Sequence, residues 1–168
     1  MANIYLIGMP GSGKSTLGQI AAKSLGLAYV DLDHAIEKRE KTTITEIFAQ
    51  RGEAGFRQIE SEELKKTAHK DGLLVSTGGG IVLRPENIDI MKKSGLVVFI
   101  NRPLDLITKT INSNNRPLLQ DNPQEKLQEL YKNRYDLYKR ASHLMLTNDG
   151  DIKEGAKRLI AVLISRGV

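Results

Sequence analysis

The stretch "NIYLIGMPGSGKSTLGQIAAKSLG" (residues 3–26) begins as an apolar run ending in glycine and continues with Leu17, Ile20, Ala21 and Leu25 at helical spacing. Between the two, "GMPGSGKS" (8–15) fits G-x-x-x-x-G-K-[ST] in the strand–loop–helix context that gives this pattern its meaning. Glycines here let backbone N–H groups converge on phosphate oxygens, and the helix N-terminus adds partial positive charge. The segment Gly11, Ser12, Gly13, Lys14, Ser15 and Thr16 is therefore expected to hold a nucleoside triphosphate. Lys14 would reach the β- and γ-phosphates, and the Ser15 hydroxyl would ligate Mg²⁺. Such a P-loop predicts nucleotide binding without separating hydrolysis, transfer and sensing.

Further along, apolar runs alternate with helical patterns. "AYVDL" reads as strand 2, "LLVST" (73–77) as strand 3, "LVVFIN" (96–101) as strand 4 and "HLMLT" as strand 5. Helices are expected over "DHAIEKRE", over "TTITEIFAQRG" up to Gly52, and over about 54–70. Others run from Pro85 to Gly95, after Pro103, up to about Ala141, and over "DIKEGAKRLIAVLIS". Residues 112–123, "NSNNRPLLQDNP", hold four asparagines and two prolines and read as a loop. Alternating elements with apolar strands predict an α/β domain whose parallel sheet is covered on both faces. Ligands of such sheets bind beyond the carboxyl ends of the strands.

Composition narrows the partners. With 168 residues, 40% hydrophobic and 27% charged, the chain is expected to form one domain, 1–168. No cysteine is present, which excludes disulfides and thiolate metal sites, and the three histidines are far apart. No run of 18 apolar residues and no signal-peptide pattern occur, so a cytoplasmic protein with no membrane association is expected. The net charge is 25 − 20 = +5, but basic residues mix with acids along helices, as on solvated faces. Only eight aromatics occur, none interleaved with lysine clusters, so nucleic acid is not expected as a partner.

Several residues cluster after the strands. Asp31 and Asp33 lie two apart at the end of strand 2, where alternation would turn both to one side. Asp31 is the best available metal-side carboxylate; a bidentate DxD clamp and an exposed turn with Asp33 as helix cap are the rival readings. Arg57 and Glu60 stand at i, i+3, either orienting the guanidinium toward a ligand or forming a surface pair. "GGG" (78–80) allows close backbone approach to a ligand, or is a plain turn. Arg134 sits on a stripe with Leu127, Leu130, Tyr131, Leu137 and Tyr138, either snorkelling or bordering a pocket for an anion such as a carboxylate. Arg116, before Pro117, is a solvated loop residue or the charge carried by a lid.

Together, "GMPGSGKST", "DLD", "ITEIFAQRGEAGFRQIE", "GGG", "RPLL" (116–119) and "RYDLY" (134–138) resemble the shikimate kinase family in order and spacing, over almost the whole chain. The resemblance implies a three-layer α-β-α P-loop kinase fold with strand order 2-3-1-4-5, a substrate region around 32–60 and a mobile lid around 111–123. It implies transfer of the ATP γ-phosphoryl group to the 3-hydroxyl of shikimate, Mg²⁺ as cofactor, and a monomer. By position, Asp33 resembles the residue that binds the acceptor hydroxyls and takes up a proton. Arg57, Arg134 and the Gly79 backbone resemble the carboxylate clamp, Glu60 its support, and Phe48 and Phe56 the ring walls. Asp31 resembles the aspartate that holds Mg²⁺ through water, and Arg116 the lid arginine that meets the phosphates. Lys109 stands where the family often has an arginine stacking on adenine, and a lysine cannot stack with a planar fork. "ASH" likewise departs from a frequent Ala-Asp, so His143 carries no assigned role.

Overall fold

Strand β1 (Asn3–Ile7) is buried at every position, as a strand with layers on both sides must be. Its side chains alternate: Tyr5 and Ile7 enter one core with Val75, Val97 and Phe99, whereas Ile4 and Leu6 enter another with Leu74, Val98 and Ile100. The chain is described by a computed structural model covering residues 1–111 and 122–168. Most of the expected lid, including Arg116, lies outside the described residues.

After β1 come α1 (Lys14–Leu25), β2 (Ala28–Asp31), α2 (Leu32–Glu40), α3 (Ile44–Ala68) and β3 (Leu73–Ser76). A short 3₁₀ turn (Ile81–Leu83) leads into α4 (Pro85–Ser94), β4 (Gly95–Asn101) and α5 (Leu104–Thr110). The described chain ends with α6 (Pro123–Ala141), β5 (Leu144–Thr147) and α7 (Ile152–Ser165). All neighbouring strands pair in parallel, in the order β2-β3-β1-β4-β5. This is the three-layer α-β-α arrangement expected from the sequence. Leu17, Ala21 and Ala22 of α1 and Leu159 and Leu163 of α7 cover one face, while Met91, Ile107, Leu127 and Tyr138 from α4, α5 and α6 cover the other.

A third, smaller core lies outside the sheet. Ile36 of α2 packs with Ile47, Phe56 and Ile59 of α3, and Phe48 stacks on Phe56 with centroids 4.9 Å apart. This cluster holds α2 and α3 against each other. Two helices were expected on either side of Gly52; helical hydrogen bonding resumes across a kink there, at φ 69°. Glycine adopts that left-handed geometry without the side-chain clash other residues suffer.

One expectation is corrected. Strand alternation does not orient Asp33, because β2 ends at Asp31 and α2 begins at Leu32. Asp31 itself caps α2, its Oδ1 accepting from the His34 N–H at 3.1 Å. The capping role considered for Asp33 thus belongs to Asp31, and Asp33 occupies the first helical turn.

His143 has a structural task. Its backbone N–H donates to Val97 O at 2.8 Å, and its Nδ1 accepts from the Val97 N–H at 2.9 Å. The ring must be neutral at Nδ1 to accept. Burial first, then Lys92 and Arg166, hold its pKa below the usual value. The unfolded chain therefore takes up a proton near pH 6.5 that the folded chain resists. This contribution to stability is complete above the unfolded value and is lost as pH falls through the lowered folded one. In His143→Asn the side-chain oxygen can accept from Val97 without titrating. Thermal melts between pH 7.5 and 5 should show a shallower acid loss in that variant; parallel curves would remove His143 as the cause.

Candidate active site

The loop after β1 turns on glycines in the left-handed region, Gly11 at φ 75° and Gly13 at φ 97°. Such turns aim successive N–H groups inward at the start of α1, making an anion nest. Lys14 is buried and donates to Gly8 O and Met9 O, both at 2.8 Å, with Ser12 Oγ at 3.5 Å. Its ammonium thus lies along the rim of the nest. Just after β5, Asn148 Nδ2 donates to Ser12 O at 2.9 Å and braces the loop.

Ser15 Oγ donates to Asp31 Oδ2 at 2.9 Å and lies 3.2 Å from Ser76 Oγ. A serine oxygen that gives its proton to a carboxylate keeps lone pairs for a hard cation. The donor set therefore fits Mg²⁺. Among the described residues, no group of three or more His, Cys, Asp and Glu could hold a metal ion. Phosphate oxygens would have to complete the shell, which argues against the DxD clamp.

Beyond β3 lies a second cluster of charge. Arg57 Nη1 donates to Glu60 Oε1 at 3.0 Å, and Glu53 stands 3.6 Å from Nη2. Glu60 is 0% exposed, Arg57 8% and Arg134 4%. Neither the surface pair nor the snorkelling arginine describes these residues. Burial pushes the Glu60 carboxyl up to about 7, with Asp33 adding to the rise and Arg57 and Arg134 opposing it. Tyr138, one turn after Arg134 on α6, donates from its hydroxyl to Gly79 O at 2.6 Å. Burial pushes this phenol up to about 12, so it remains a donor.

The glycine run is a matter of space. A Cβ on Gly78 would meet Glu60 Oε2 at 2.9 Å and Asp33 Oδ1 at 3.0 Å. On Gly79 it would meet Pro10 Cδ at 2.9 Å, and on Gly80 it would fall on the Arg57 guanidinium. The plain-turn reading gives way to close approach on three sides.

These parts border one cavity of about 970 Å³. Gly11, Ser12, Gly13, Lys14, Ser15 and Thr16 line its middle. Asp31, Asp33, Thr77, Gly78 and Gly79 line one side, and Arg102, Thr110, Asn148 and residues 150–153 the other. Arg57 and Arg134 are not among the lining residues: Arg57 lies against Gly80, and Arg134 beside Tyr138, which holds Gly79. Lys109 stands in the last turn of α5 beside Thr110. Phe56 carries Arg57 over its ring, 5.1 Å from the centroid.

Comparison with known proteins agrees with this geometry. A family model described as shikimate kinase matches residues 10–164. The chain belongs to the shikimate kinase family. Curated relatives named shikimate kinase include one from Clostridium botulinum (strain Eklund 17B / Type B), 45% identical over 96% of this chain and 97% of its own. Another, from Acinetobacter baylyi, is 41% identical over 99% and 94%. A shikimate kinase from Acinetobacter baumannii, solved in complex with shikimate, superposes with a TM-score of 0.93 at 37% identity, covering 99% of this chain and 94% of that one. The Aquifex aeolicus shikimate kinase gives 0.85 at 34%, covering 99% and 98%.

Measured against the motifs that resemble the shikimate kinase family, sequence reading missed several supports. Asn148 and Arg102, which donates to Asn148 O at 3.0 Å, brace the phosphate loop and the 148–153 turn. Nothing local distinguishes them from ordinary polar residues. Tyr138 was legible only as part of the α6 stripe; its grip on Gly79 is a tertiary fact. Gly80→Ala should destabilise the fold by about 1–3 kcal/mol through overpacking against Arg57. Chemical denaturation would measure this. A loss no larger than that of an exposed-loop control would show that Arg57 moves aside without cost.

Proposed function

We propose that this protein transfers the γ-phosphoryl group of ATP to the 3-hydroxyl of shikimate, giving shikimate 3-phosphate and ADP. The observation that carries the reading is the pair of buried arginines that act, with Asp33, on Glu60, while Asp33 itself lines a cavity whose middle is the phosphate loop. An acceptor with a carboxylate at one end and hydroxyls at the other suits that arrangement. Membership in the shikimate kinase family and likeness to a relative solved with shikimate support it.

Phosphoryl transfer asks the protein for positioning and charge neutralisation more than for covalent chemistry. Gly11, Ser12, Gly13 and Thr16 hold the phosphates through the loop, and Lys14 turns from its carbonyl partners to the β- and γ-oxygens. Arg57 and Arg134, with the Gly79 backbone, clamp the acceptor carboxylate through planar donor forks. Glu60 holds Arg57 in place, and Tyr138 holds the Gly79 peptide. Asp33 binds the acceptor hydroxyls and takes the proton of the attacking one. Mg²⁺ neutralises charge on the phosphates when bound, and Ser15 and Asp31 would hold it. Arg116, outside the described residues, supplies lid charge by its resemblance to the family. Lys109 meets the adenine side without a stacking fork.

One kinase domain over 1–168, acting as a cytoplasmic monomer on these two small molecules without nucleic acid, completes the proposal. No described helix is long and apolar enough to cross a membrane.

Coupled ADP release, with shikimate, gluconate and nucleoside monophosphates offered in parallel, tests the acceptor. Shikimate-dependent release is expected, and acceptor-independent release would favour a nucleotide-gated module. Arg134→Ala should raise KM for shikimate by about 10- to 100-fold, the worth of charged hydrogen bonds, with little change in KM for ATP. Equal shifts in both would end the clamp assignment. Asp33→Asn should lose about 10²–10⁴ in turnover while keeping nucleotide binding; near-normal turnover would remove Asp33 from proton uptake.

A further inference from the structure

Tyr29 and Asp31 are two apart on β2 and therefore share a face. In the parallel register Asp31 stands opposite Ser76 on β3 and Tyr29 opposite Leu74. The Tyr29 ring passes over α1 at Gly18, where a Cβ would come within 3.0 Å of its Cε2. The missing side chain lets the phenol reach beneath the first turn of α1. Its Oη is buried, yet it has no hydrogen-bond partner. Ser15, Ser76 and Asp31 stand close enough to act on it without closing a hydrogen bond, and burial, the largest influence, raises its pKa.

A buried hydroxyl without a partner is costly and asks for an explanation. Counting protons supplies one. Ser15 has one proton, and it goes to Asp31 Oδ2 at 2.9 Å. In the 3.2 Å contact between Ser15 Oγ and Ser76 Oγ, the proton must then be Ser76's. Asp31 Oδ1 is occupied by the His34 N–H. A divalent cation drawing on the Ser15 oxygen repels a proton aimed at that same oxygen. The Ser76 hydroxyl then needs another acceptor, and the Tyr29 oxygen, on which Ser76 already acts, carries no hydrogen bond, whereas each Asp31 oxygen already accepts one.

We propose that Tyr29 is a positioning residue of the cation site, whose hydroxyl accepts the Ser76 proton when Mg²⁺ engages Ser15. The inference rests on the Mg²⁺–nucleotide reading above and extends it to a residue outside the phosphate loop. The Tyr29 oxygen, which accepts no hydrogen bond here, would then gain a donor. Its partner is therefore gained on loading, and cation affinity carries the difference.

The test is a Mg²⁺ titration of wild type, Tyr29→Phe and Ser76→Ala at saturating ADP, read by melting temperature and by calorimetry. Without ligands, Tyr29→Phe should melt no lower than wild type, because the orphaned hydroxyl is gone. It should nonetheless need roughly tenfold more Mg²⁺ for half of the cation-linked stabilisation. Ser76→Ala should shift the titration the same way, and the double variant no further than the larger single one. If ligand-free Tyr29→Phe melts lower and titrates like wild type, the phenol is a structural group and the inference fails. Additive shifts in the double variant would also overturn it. A wild type whose melting with ADP ignores Mg²⁺ would overturn the cation reading itself, and Tyr29 with it.

Discussion

Two guanidinium groups held almost out of water set the terms for this end of the molecule. An unpaired buried charge costs several kcal/mol, so Arg57 and Arg134 must be met from their surroundings. Glu60 meets Arg57 directly, but it is itself buried and its charge is contested by Asp33. Protein groups alone thus leave the cluster finely balanced, with positive donors that an arriving carboxylate would satisfy. The rest of the site follows from holding these groups in place. Helix α3 needs its kink and its own small core to present Arg57, and α6 needs an apolar stripe to carry Arg134 inward.

Much of this was legible because the sequence signals are periodic or punctuated. Five apolar runs became five strands, and glycine, proline and threonine marked helix ends within a residue or two. Gly95 was expected to end a helix and does so as the cap of α4; it also opens β4, where its extended backbone pairs with Asn3. The 3₁₀ turn after the glycine run left no signal, since three residues are too few to show a period. The strand order came from family resemblance, as apolar runs do not say which strand lies next to which.

The site was legible by residue type and illegible by contact. Asp31 and Asp33 were singled out correctly as neighbours of one cavity, but through an alternation that the chain does not use. A cap and a helical first turn bring both carboxylates to the cavity wall. Periodicity put Arg134 on an inward face without saying whether its head escapes to water. Burial answers that, and it depends on α6 meeting the glycine loop from far along the chain. Asn148 and Arg102 act through tertiary contacts, which leave no trace in local pattern.

The three glycines after β3 have a consequence for how such a chain can vary. Each excludes a side chain for its own reason: a carboxylate pair at Gly78, the phosphate loop's proline at Gly79, a guanidinium at Gly80. Relaxing one neighbour does not free all three positions. A substitution at Pro10 would open room at Gly79 and leave the others as tight as before. The loop is therefore locked from several sides, two of them through the paired Arg57 and Glu60, and no single substitution among these neighbours frees all three positions.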